Sequence, residues 1–159
     1  MTVVSRVVPV LKVFLAALFA VLVLLQTFSL PGQFAYMAQE DPTRAHLRWP
    51  LTSVSVFLLL CVQVVVVCTW RLLTLVRNDQ IFTARSLVWV DAIAVAVFAG
   101  WSVFAALFGY VGLHATDPGL PLLLFVILVS AAVLGLLILV LRELLRQATT
   151  LRSEMDAVI

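Results

Sequence analysis

Asp91 is a carboxylate set inside a long apolar run, "SLVWVDAIAVAVF", and two kinds of chemistry are open to it. Ionisable groups at membrane depth are costly and therefore count as functional hypotheses until a partner is found. As a proton or cation relay, Asp91 would need further stations, and no second buried carboxylate continues such a path. As half of an interhelix ion pair it needs one cation at its own depth. Arg71, at the end of the preceding apolar run, is the expected partner, and the pair would fix the register of two helices. Gln26 and Gln63 are suited to hydrogen bonding across helices, and Lys12 is placed to snorkel toward headgroups.

Other residues with chemical potential form weaker sets. In "PGQFAYMAQEDPTRAHLRWP" (31–50), Glu40, Asp41 and His46 do not have metal-motif spacing, and Arg44 and Arg48 stand among them. A short interfacial helix capped by Asp41, with Pro42 at its first position, is expected there. At this length the loop can also fold over the bundle as a lid. His114 is in another loop, and one histidine per loop makes no zinc site. Cys61 and Cys68 are seven residues apart, about 10 Å along a helix, beyond the roughly 7 Å reach of a disulfide. They read as buried free thiols. There is no Ser/His/Asp set, no H-E-x-x-H, no paired intramembrane aspartates and no Gly-rich phosphate loop. Neither an enzyme nor a cofactor is expected.

The elements that hold these residues follow from composition. Of 159 residues, 64% are hydrophobic and 11% charged, with a mean hydropathy of +1.19, far from a soluble domain. Apolar runs longer than about 18 residues are read as spanning helices, because only helices and closed barrels satisfy their own backbone in lipid. No barrel-like alternation is present. The fold class is therefore all-α, a four-transmembrane-helix bundle forming one domain over residues 1–141, with spans at about 8–30, 51–75, 87–113 and 120–141. "SLPG" (29–32) is the expected stop for the first span. That span is read as a helix and not a cleaved signal, since its apolar run is too long and no clean A-x-A site follows. Pro50 and Pro121 fall in or beside the first turns of the second and fourth spans.

Positive residues set the expected orientation. Arg6, Lys12, Arg71, Arg77, Arg85, Arg142, Arg146 and Arg152 share one side, against Arg44 and Arg48 on the other. Both termini are thus expected in the cytoplasm, with Trp49, Trp70 and Trp89 in the interfacial belts. All the cations except Lys12 are arginine, which with the Ala/Val/Leu richness suggests a GC-rich bacterial genome. A net charge of +2 without a basic tract gives no reason to expect direct nucleic-acid binding.

Two cytoplasmic segments stand out. In "RNDQIFTARSLVWVD" (77–91), Asn78-Asp79 supplies a turn and Thr83 an N-cap, with Phe82 and Leu87 in the two positions of a hydrophobic staple. Arg77 and Arg85 can attract anionic lipid. The tail, residues 142–159, continues the fourth span as an amphipathic helix whose stripe includes Leu144, Leu151, Met155 and Val158. This stripe either rests on the membrane interface or its own bundle, or docks a partner or a second copy. Gly100, Gly109, Gly112 and Ala131-x-x-x-Gly135 permit close helix approach, and Trp101 is expected to fill the resulting gap. A weak repeat is also present: Pro50 precedes Arg71 by the interval separating Pro121 from Arg142.

A short loop ending in Ile81-Phe82-Thr83, followed by Leu87 opening the third of four helices, resembles a bacterial family of small membrane proteins. That family carries a domain of unknown function, number twenty-nine seventy-five in its series. The resemblance extends over span count, loop lengths and the long first outer loop. Members often have a glycine shortly before the phenylalanine, where this chain has Asn78, Asp79 and Gln80. The resemblance implies no catalytic residues. It implies a neighbouring helix-turn-helix regulator of the Cro/CI type as a protein partner. The expectation is an inner-membrane interaction or regulatory component in contact with the lipid bilayer, with self-association left open. Two alternatives remain: a channel or transporter subunit using Asp91, Gln63 and Gln26, and an intramembrane enzyme.

Overall fold

A computed structural model describes residues 2–158. It contains four helices long and apolar enough to cross a bilayer: Val3–Glu40, Trp49–Arg77, Ala84–His114 and Gly119–Val158. Each contains an apolar run long enough to span, and their ends follow from local backbone chemistry.

The first spanning helix joins α1 (Thr2–Leu24) to α2 (Leu30–Glu40) through a π turn at Leu25–Ser29. Backbone angles at Leu24 and Leu30 are both right-handed helical, and the Leu30 N–H donates to the Leu25 carbonyl, five residues back. The expected stop at "SLPG" is therefore corrected, because the helix runs on to Glu40. Pro31 lies in the first turn of α2, and the wider π turn before it takes up the mismatch a proline ring imposes on an α-helical ladder. The Thr27 hydroxyl donates to the Val23 carbonyl at 2.9 Å within this turn. After Glu40 the chain makes a 3-10 turn, Pro42–Leu47. Asp41 Oδ1 accepts from the Thr43 amide and hydroxyl at its start, so the expected short helix is present in 3-10 form.

Helix α3 (Arg48–Arg77) ends in a left-handed cap. Asp79 has φ 55°, Gln80 N–H donates to the Leu75 carbonyl and Asp79 N–H to the Val76 carbonyl. These two bonds define a Schellman motif, normally completed by glycine. Helix α4 (Ala84–His114) follows, with Thr83 at the N-cap position in extended conformation. The Thr83 hydroxyl does not cap the helix but donates back to the Gln80 carbonyl at 2.7 Å. The expected side-chain cap is thus not formed; the fully buried Ser86 instead closes the turn by donating its hydroxyl to the carbonyls of Thr83 and Ile81. Helix α5 (Gly119–Val158) begins where Asp117 Oδ1 accepts the Gly119 amide and continues unbroken for 40 residues. At 1.5 Å per residue that is about 60 Å, twice the hydrocarbon thickness.

All extensive interhelical packing joins spans adjacent in sequence: α1 and α2 on α3, α3 on α4, α4 on α5. The bundle is thus an up-and-down row with a thin core of Val8, Leu22, Val66, Cys68, Leu75, Ala94 and Ala96. A Cβ added at Gly100 would lie 3.4 Å from Cys61 Cβ, and one at Gly135 would lie 3.5 Å from Val97 Cγ1. These two glycines hold the α3/α4 and α4/α5 contacts. Gly109 and Gly112, by contrast, have nothing within 4 Å and take no part in close packing. Trp101 spans α4 and α5, its Nε1–H donating to the Leu128 carbonyl at 3.1 Å.

Candidate functional site

Each seam between spanning helices carries one polar clasp near the Arg77 end. On the α1/α3 seam, Lys12 Nζ donates to Thr74 Oγ1 at 2.9 Å and lies 5.3 Å from the Trp70 ring centroid. On the α3/α4 seam, the Arg71 guanidinium stands 5.6 Å from the Trp89 centroid, a cation–π arrangement. On the α4/α5 seam, Arg142 Nε donates to Asp91 Oδ1. A fourth contact ties the α3–α4 loop to the α5 extension, with Arg152 placed 5.5 Å from the Phe82 ring.

The expected Asp91–Arg71 pair is therefore corrected: Asp91 is matched by Arg142. Both arginines follow a first-turn proline by the same interval, so both reach the depth where α4 begins its apolar stretch. Trp89 and Asp91 are two residues apart on α4, about 200° around the helix, and so serve opposite neighbours. Arg71 meets the aromatic face on the α3 side and Arg142 the carboxylate on the α5 side. The weak repeat thus has a geometric counterpart, two arginines clasping one central helix. The pair is half exposed, with side-chain exposures of 43% for Arg142 and 49% for Asp91.

A second polar pair lies deeper. Gln63, buried, donates through Nε2 to Gln26 Oε1 at 2.8 Å, and Gln26 Nε2 reaches the Val56 carbonyl at 3.4 Å. Gln26 belongs to the π turn, so the irregular turn and the amide pair anchor α1 on α3 together. Asp91 lies on the α4/α5 seam and the glutamines on the α1/α3 seam, so these polar groups do not converge on one path.

The remaining expected site residues are on the same end of the molecule. Arg77, Arg85 and Phe82 are exposed and Leu87 is half-buried. Leu144, Leu151, Met155 and Val158 of the stripe are all exposed, so the extension does not fold back over its bundle. Ser86 and Thr74 were not singled out in the sequence. A hydroxyl three residues after Thr83, and another one turn beyond Trp70, were the available signals.

A family model described as a protein of unknown function (DUF2975) matches residues 32–159. The chain belongs to this family. No curated protein and no solved structure matches it. In this DUF2975 member the matched segment takes in α3, α4, α5 and both arginine clasps, while Lys12 and Gln26 precede it.

At the opposite end, His46, Tyr110, His114 and Asp117 border one open cleft of about 810 Å³. The two histidines, in different loops by sequence, thus share a cleft. Each ring is engaged locally: His46 Nδ1 is 3.1 Å from the Thr43 carbonyl, and His114 Nδ1 is 2.9 Å from the Tyr110 carbonyl. Among the described residues, no three His, Cys, Asp or Glu side chains form a group able to hold a metal. Cys61 and Cys68 are free thiols.

Proposed function

We propose that this DUF2975 member is a non-catalytic interaction or regulatory component of the bacterial inner membrane. Both ends lie in the cytoplasm in this reading, as the side bias of its arginines favours. The observation that carries it is the α5 extension. Arg142 is held at the depth of Asp91, and the 16 residues from there to Val158 project about 24 Å further. Leu144, Leu151, Met155 and Val158 are exposed along that projection. An amphipathic helix with an uncovered apolar stripe suits a groove on a protein partner. Arg152 on Phe82 couples the extension to the α3–α4 loop, so a partner on one would sense the other.

The partner implied by family resemblance is a Cro/CI-type helix-turn-helix regulator, which would supply a DNA-binding surface. Co-purification of the regulator with the detergent-solubilised protein tests the reading. Deleting residues 147–159 should leave membrane insertion intact and abolish co-purification. Retention of the regulator by the shortened chain would contradict it.

A further inference from the structure

We propose that the groove between α4 and α5 is a binding site for one phospholipid whose headgroup carries a primary ammonium. The groove has a volume of about 540 Å³ and is bordered by Asp91, Val95, Phe98, Ser102, Leu139 and Arg142. Its charged end and its apolar length match the two parts of such a lipid.

The depth is right. Helix α4 has 31 residues, about 46 Å, so a 30 Å hydrocarbon layer centred on it begins roughly five residues from each end. That boundary falls at Trp89–Asp91, where headgroups meet chains. From Asp91 to Ser102 is 11 residues, about 16 Å of rise, close to the ~15 Å of a single leaflet. The groove therefore runs one leaflet deep from a charged mouth, with Val95 and Phe98 exposed along it.

The charge is right as well. The clasp joins Arg142 Nε to Asp91 Oδ1. Among the described residues the two Arg142 Nη groups and Asp91 Oδ2 carry no further protein hydrogen bond, and both side chains are about half exposed. A phosphate fits the guanidinium fork, and an ammonium N–H fits the second carboxylate oxygen. A glycerol headgroup has the phosphate but nothing cationic for Asp91. A choline headgroup has the charge but no N–H to donate. A site of zero net charge with both signs exposed thus selects a zwitterion with donors.

Native mass spectrometry of the full-length protein in detergent, with ethanolamine, choline and glycerol phospholipids of identical chains, tests the assignment. The ethanolamine lipid should be retained at concentrations about tenfold below the glycerol lipid. Asp91→Asn should bring the two within twofold, and Arg142→Gln should weaken all three. Because either change also loosens the α4/α5 seam, a second arm uses Ala99, which also borders the groove: Ala99→Phe keeps the ion pair and fills the groove. This variant should lose the ethanolamine preference while unfolding at an unchanged temperature. Equal retention of all three lipids (annular binding only), a preference for the glycerol lipid, or an ethanolamine preference that survives Ala99→Phe would overturn the proposal.

Discussion

Asp79 occupies the left-handed position of the α3 cap, where any Cβ crowds the following carbonyl at a cost of about 1 kcal/mol. Glycine avoids that crowding. Asp79→Gly should therefore raise the stability of the detergent-solubilised protein by about 0.5–1 kcal/mol, and Asp79→Val should lower it by at least as much. Thermal unfolding followed by tryptophan fluorescence checks both, and a stabilising valine would contradict the left-handed assignment. At this scale the sequence revealed which residues were costly but not which ones would meet. Asp91 was legible as a group needing a cation, since a carboxylate in an apolar run cannot stand alone. Its partner was not, because Arg71 and Arg142 end their spans at the same depth and only the azimuth of α4 separates them. The Thr83 cap was legible as a position. The side chain that closes the turn, Ser86, was hidden because burial of a hydroxyl is decided by the turn's three-dimensional course.

Helices α3 to α5 show how far element boundaries follow from sequence. Prolines in first turns and polar loops marked α3, α4 and the start of α5 closely. The first helix ran past its expected stop, since a π turn can carry a helix through Leu30-Pro31-Gly32 and apolar periodicity does not encode that device. The clasp between α4 and α5 yields a prediction of its own. Asp91→Arg should set two guanidinium groups against each other and destabilise the protein by about 1–2 kcal/mol, a modest figure because the native pair is half exposed and screened. Adding Arg142→Asp should restore most of the loss, whereas adding Arg71→Asp should not. Rescue by the Arg71 change in place of the Arg142 change would contradict the observed pairing.

The whole molecule is a row of four membrane-spanning helices, each seam fastened near one end and α5 running on beyond the others. The spans were readable because lipid leaves the backbone almost no alternative to helix. The row order was not, since four apolar helices of similar length can be arranged in several ways and only side-chain fit selects one. The extension of α5 was legible from its three-and-four spacing, and its uncovered stripe is where the proposed role resides. A photoreactive residue at Met155, activated in intact cells, tests that role most directly, with one at lipid-facing Leu134 as control. Position 155 should give a discrete adduct with a single cytoplasmic protein, identified by mass spectrometry as the helix-turn-helix regulator, and position 134 should give none. An adduct at position 155 with lipid alone, or the same adducts from both positions, would contradict docking on the extension.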